Sequence, residues 1–147
     1  MLPIILFQLT IFSLYIYYLV KNYGVLSSIS ESYYVSGEKR TFQFFCFLLG
    51  LPLVFYPDPY FILAAFALVV VGISDDYTKE ASRLINKAHF IGAGVAIGAS
   101  LIALGLEYIV VFSWGLLPLL FVRNRVWWIE IWAFLVIIIG LFIKFII

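Results

Sequence analysis

The side chains of this 147-residue chain that could do chemistry gather in one stretch, residues 74–104, which reads SDDYTKEASRLINKAHFIGAGVAIGASLIAL. An acidic pair, Asp75 and Asp76, opens it, and three basic residues, Lys79, Arg83 and Lys87, lead on to the only histidine, His89. A distant segment, SSISESYY at residues 27–34, supplies hydroxyl groups. Ser28, His89 and either aspartate have the residue types of nucleophilic acyl transfer: histidine takes the proton of the hydroxyl and a carboxylate orients the ring. The same types also suit a histidine that merely caps or cross-links helices, because an ionisable group in an apolar helix turns inward and finds a partner. Metal chemistry is less well served. Zinc needs three or four ligands, and one His with one Cys, Cys46, does not supply them. Asp75 and Asp76 could hold magnesium with its waters, or simply sit at a helix N-terminus where the dipole favours negative charge. His89 alone gives haem no axial pair. The catalytic candidates are therefore His89, Asp75, Asp76 and Ser28, and no metal or cofactor is expected.

A binding role draws on an overlapping set. Ser28, Ser30, Tyr33, Arg40, Lys79, Arg83 and Lys87 would meet at one interface and could hold an anionic lipid headgroup. The basic residues would equally serve topology and general contact with lipid phosphates.

These residues need elements to position them, and composition says what kind. The chain is 65% hydrophobic and 12% charged, with mean hydropathy +1.14, against about 45–50% and about 25% in soluble domains. An all-α, polytopic integral membrane protein of one domain, residues 1–147, is predicted. Net charge of +1 gives no argument for a nucleic-acid partner. Cys46 lies in an apolar run and reads as a small buried hydrophobe. The first segment has neither a basic leader nor a small-residue cleavage site, so it is expected to be retained.

Six spans are predicted, at residues 2–20, 41–56, 60–73, 82–104, 108–122 and 126–143. Tyr15, Tyr17 and Tyr18 near the end of the first suggest an interfacial belt. In the first loop, Ser28 followed by Glu31 fits a capping box, with Gly37 at the exit, so a short interfacial helix is expected there. Pro57-Asp58-Pro59 makes a tight turn, and Gly115 with Pro118 predicts a kink in the fifth span. On the fourth span Ala88, Gly92, Ala96 and Ser100 recur at every fourth position and share a face, while Gly94 and Gly98 form a second pair. Such small-residue faces let helix backbones approach closely in lipid. Six spans leave both termini on one side. Eight of the nine basic residues fall in the first, third and fifth loops, and only Lys144 lies opposite. The excess of Lys and Arg predicts those loops in the cytoplasm and both termini outside.

Two resemblances add to this reading. GISDDYTK, residues 72–79, resembles the acidic-pair segment of polyprenyl-phosphate sugar-phosphate transferases, and that resemblance implies a magnesium-dependent transfer to a lipid phosphate. The chain is shorter than those enzymes and lacks their later Asn/Asp-rich and His-rich loops. The order SISESYY, RTFQFFCF, NKAHFIGAGVAIGAS, across residues 28–100, resembles small six-helix membrane proteins of bacteria and phages and, more remotely, DRAM-type membrane proteins. It implies a bacterial inner (cell) membrane protein without an assigned reaction. The DRAM-type layout implies the opposite orientation of the first loop. The function expected is a structural or binding role, as a subunit of a larger assembly or a homo-oligomer, with membrane lipids as partners. The alternative is an intramembrane enzyme acting on a lipid headgroup or lipid phosphate.

Overall fold

The computed structural model describes residues 1–35, 39–74 and 83–147, with the backbone alone described at residues 34, 39 and 83–86. Among these residues every regular element is helical: α1 (Leu2–Tyr23), α2 (Ser32–Val35), α3 (Lys39–Gly50), α4 (Pro59–Ser74), α5 (Arg83–Leu104), α6 (Leu106–Leu119) and α7 (Arg125–Ile146). Three segments, Leu2–Tyr23, Lys87–Leu104 and Arg125–Ile146, are long and apolar enough to cross a membrane, while Arg40–Phe55, Pro59–Ser74 and Leu106–Leu119 are shorter apolar helices.

Local chemistry sets the boundaries. Pro3 stands in the first turn of α1, where its missing N–H is no loss. Gly24, at φ +75°, ends that helix and donates its N–H to the Val20 carbonyl. Pro52 has no N–H for an α-helical bond, and α3 tightens after Gly50 into a 3-10 turn, Leu51–Phe55. Asp58 then caps α4: its Oδ1 accepts from the Tyr60 N–H at 2.9 Å, with Pro59 at the first helical position. Pro118 lies within the last turn of α6, which stops one residue later at Leu119. Asn124 adopts the left-handed conformation (φ 57°, ψ 42°) that turns the chain into α7.

Helix α4 is wedged between α3 and α5 through small residues. A Cβ on Gly92 would lie 3.1 Å from Val71 Cγ2 and 3.2 Å from the Ala67 carbonyl oxygen, so α5 meets α4 almost backbone to backbone. Gly50 stands equally close to Ala65, and Gly72 to Cys46. The Gly92–Ala96–Ser100 face thus packs inside the bundle, with Ala96 and Ser100 buried. Gly94 and Gly98 meet nothing within 4 Å and look outward. The rest of the core is aromatic and aliphatic. Phe12 stacks on Phe134 at 3.8 Å between centroids and Tyr15 on Phe45 at 4.0 Å. Tyr15 is therefore a core residue and not part of an interfacial belt, whereas Tyr17 is exposed; Trp127 is buried as well. Large apolar side chains also cover the outside, among them Phe66, Ile73, Phe90 and Trp114, and α6 buries no residue at all.

Candidate functional site

An elongated cavity of about 140 Å³ runs through the middle of the bundle. Its wall comes from α1 (Gln8, Phe12), α3 (Phe42, Phe45, Cys46, Leu49), α4 (Leu68, Val71), α5 (His89, Ala93, Ala96, Ile97, Ser100), α7 (Glu130, Ala133, Phe134, Ile137, Ile138), the 3-10 residue Leu53 and the first-loop residues Ile29 and Ser30. His89 and Ser100 are eleven positions apart on α5, which is roughly 16 Å at 1.5 Å per residue. Glu130 and Ile138 are about 12 Å apart on α7 by the same rise. The lining is therefore a channel-shaped apolar wall with polar groups confined to its two ends.

The far end carries Gln8 and Ser100, both buried. Each is bonded within the protein. Gln8 donates to the Leu49 carbonyl at 3.0 Å and accepts from the Tyr56 hydroxyl at 3.5 Å, and Ser100 donates to the Ala96 carbonyl at 2.8 Å. Tyr56 itself is buried, in the turn before α4.

The near end is closed by the first loop, and α7 holds that loop in place. Asn124 donates its side-chain N–H to the Val25 carbonyl at 3.0 Å, the Trp127 backbone N–H donates to the Ser27 carbonyl at 3.1 Å, and the Ile29 N–H donates to the Glu130 carboxylate at 2.5 Å. Every third residue of α7 thus meets every second residue of an extended segment. The capping motif is present with a shift: Ser28 Oγ accepts from the Glu31 N–H at 3.1 Å, but the Glu31 carboxylate reaches back to Ser27, taking its N–H at 2.6 Å and its hydroxyl at 2.7 Å. The helix that follows, α2, begins at Ser32, four residues after the expected cap at Ser28, and its predicted exit at Gly37 lies outside the described residues. Its first residue, Ser32, is buried and shares a hydroxyl contact of 2.7 Å with Tyr15.

The predicted site residues separate into three groups. His89 and Ser30 line the same end of the cavity, with His89 Nδ1 out of contact with solvent. Ser28 stands behind Ser30, hydroxyl to hydroxyl at 3.1 Å, and Tyr33 is buried edge-on against Phe42. Arg40 sits apart, in a shallow outer groove between α3 and α4 with Gln43, Phe44, Phe47, Val69, Gly72 and Ile73, and Lys87 is exposed. Asp75, Asp76, Lys79 and Gly37 lie outside the described residues, as does the side chain of Arg83. Among the described residues no three His, Cys, Asp or Glu side chains come together as metal ligands. Cys46 is buried in the cavity wall.

Sequence reasoning passed over Glu130. The signal was available, since a lone carboxylate at the fifth residue of a predicted span is expensive unless it has work to do. In comparisons with known proteins, no family model, no curated protein and no solved structure matches this chain.

Proposed function

We propose that this chain is a six-helix integral membrane protein that binds an amphipathic lipid in its central cavity. The observation that carries the reading is the cavity itself: an apolar wall spanning several helical turns, with hydrogen-bonding side chains only at its ends. A pocket of apolar lining with a few convergent polar groups is the usual form of a small-molecule site. The alternative of an open ion path fits less well, because the middle of this wall offers no group to replace a hydration shell.

Helix lengths support six crossings. The 12 residues of α3 rise about 18 Å, and the five-residue 3-10 turn adds about 10 Å. Together they approach the roughly 30 Å of a bilayer core. At 16 and 14 residues, α4 and α6 are shorter, which local thinning of the bilayer accommodates. The outward apolar surface suits lipid and would be a liability in water. The distribution of basic residues favours the first, third and fifth loops in the cytoplasm, both termini outside, and a bacterial cell membrane as the setting.

Native mass spectrometry of the purified protein released from lipid nanodiscs tests the binding reading. One lipid adduct per chain is expected, and Ala96→Phe, which fills the cavity from α5, should remove it. A bare wild-type protein, or an adduct that survives the substitution, would defeat the proposal. A second reading, a lipid-modifying enzyme, draws on the presence of His89, Ser30 and Glu130 at one end of the same cavity. It predicts that the bound lipid is consumed over time and that His89→Gln stops this without releasing the lipid.

A further inference from the structure

The shallow groove between α3 and α4 opens on the outer surface, away from the central cavity. We propose that it seats one anionic two-chain phospholipid, with the phosphate at Arg40 and one acyl chain along the seam toward Phe47. The inference rests on the membrane setting proposed above and is independent of what the central cavity holds.

The seam follows from helical spacing. Arg40, Gln43, Phe44 and Phe47 stand at positions i, i+3, i+4 and i+7 of α3, and Val69, Gly72 and Ile73 at i, i+3 and i+4 of α4, so each helix contributes a single stripe. Gly72 lets the stripes meet: a Cβ there would stand 3.1 Å from Cys46 Cβ and 3.5 Å from Gln43 Cα. The same contact fixes direction. Gly72, near the end of α4, meets Gln43, near the start of α3, so the two helices run antiparallel along the groove. Its polar pair, Arg40 and Gln43, occupies the end where α3 begins, and Phe44, Phe47 and Val69 continue inward as apolar surface. Arg40 to Phe47 is roughly 10 Å along the helix, about a third of a bilayer core of roughly 30 Å. The groove thus begins at the level of the headgroups and ends in hydrocarbon, as a phospholipid does.

Exposure and charge choose the occupant. Arg40, Phe44, Phe47 and Ile73 are all exposed, and in a bilayer the three apolar side chains meet acyl chains. A guanidinium presents five N–H donors in a planar fork that matches the oxygens of a phosphate. The Gln43 amide, about one turn farther in, can donate to an ester oxygen. An anionic head has no cation of its own, whereas a zwitterionic head brings an ammonium that competes with the guanidinium for the phosphate. Ser30 lines the cavity and Ser28 stands behind it, so the site draws nothing from the first-loop serines. Because the groove is shallow, its lipid exchanges with the bilayer and is shed when the protein leaves it, unlike an occupant enclosed in the cavity.

The test is photo-crosslinking in nanodiscs of equal parts dioleoyl phosphatidylglycerol and dioleoyl phosphatidylcholine. A benzophenone amino acid replaces Phe47 in one sample, Phe44 in a second and Trp114, exposed on α6, in a third. Mass spectrometry of the denatured protein then measures the two lipid adducts. Phosphatidylglycerol should exceed phosphatidylcholine by roughly fivefold at Phe44 and Phe47, the scale of one basic residue at an anionic surface, and match it at Trp114. Arg40→Gln should return the ratio at Phe47 to that of the bilayer. Arg125→Gln, which removes an exposed charge from the start of α7, should leave it unchanged. An even ratio at Phe47, an equal excess at Trp114, a preference that survives Arg40→Gln, or one that falls equally with Arg125→Gln would overturn the assignment. So would a crosslink to a second copy of the chain, or no lipid crosslink at Phe44 or Phe47. Protein that enters the nanodiscs and gives any of these results defeats this inference alone. Protein that stays in solution without nanodiscs or detergent defeats the membrane setting beneath it.

Discussion

Gly92 gives the sharpest test of how the bundle is held. Its missing side chain lets α5 approach α4 until a Cβ would stand 3.1 Å from Val71 Cγ2 and 3.2 Å from the Ala67 carbonyl oxygen. Both are a few tenths of an ångström inside ordinary contact, and the second partner is backbone, which cannot swing away. Two opposed effects then set the outcome of each substitution. Gly92→Ala gains roughly 0.8–1 kcal/mol of helix propensity and loses a similar amount to crowding, so it should be nearly neutral. Gly92→Leu keeps most of that gain but drives three further carbons into α4. Overpacking of this kind costs about 1–3 kcal/mol, and the upper end applies because the obstacle is main chain. With about 2–4 °C of melting temperature for each kcal/mol in a chain near this size, a net loss of about 2 kcal/mol lowers the midpoint by roughly 4–8 °C. Gly94→Leu and Gly98→Leu are the internal controls. Nothing lies within 4 Å of either position, so neither should destabilise. Thermal unfolding in detergent, followed by tryptophan fluorescence, measures all four. An unchanged midpoint for Gly92→Leu, or an equal fall for Gly94→Leu, would show that the α4–α5 face has been misread.

Three further outcomes follow from the same structure. Glu130→Ala leaves the Ile29 N–H without its acceptor and should destabilise by about 1–3 kcal/mol, whereas Glu130→Gln should lose much less; a melting series separates them, and equal losses would argue against the loop contact. A cysteine at position 79, in a Cys46→Ser background, should resist impermeant thiol reagents added outside intact cells, and ready labelling would reverse the orientation. His89→Gln should melt within a few degrees of wild type because Gln both donates and accepts, while His89→Leu should fall further; matching curves would mean that the ring bonds to nothing that matters for folding.

Much of this fold is legible along the chain because its apolar runs follow a simple rule. Each apolar run must satisfy its backbone internally and becomes a helix, so six segments, the turn at Asp58 and the small-residue face of α5 can be read directly. The packing face of α5 was visible because its small residues repeat at helical spacing. The matching contacts of α3 and α4 were not, since Gly50 and Gly72 are single residues on different helices and acquire meaning only from the partners they meet. Tyr15 misled for a related reason: an aromatic near a helix end looks the same whether lipid or a folded loop covers it. His89 and Ser30 could be proposed as neighbours from topology alone. Glu130 could have joined them on the expense of its charge, but its bond to Ile29 spans about a hundred residues and leaves no local pattern.

The cavity also bears on stability. Residual cavities in well-packed proteins cost about 24 cal/mol per Å³, so 140 Å³ left empty would cost roughly 3 kcal/mol. That is a large share of a native margin of about 5–15 kcal/mol. Two stacked pairs, Phe12–Phe134 and Tyr15–Phe45, join α1 to α7 and to α3 beside it. In the proposed lipid-binding role, any occupant that binds the folded state alone would stabilise it by mass action. An occupant at a hundred times its dissociation constant contributes about 2.7 kcal/mol, close to the cost of the void. The first loop, tied to α7 at three points, would then be held down by the ligand as well as by the helix. Ligand and loop should stabilise each other, and loosening the loop at Glu130 should weaken the hold on the ligand.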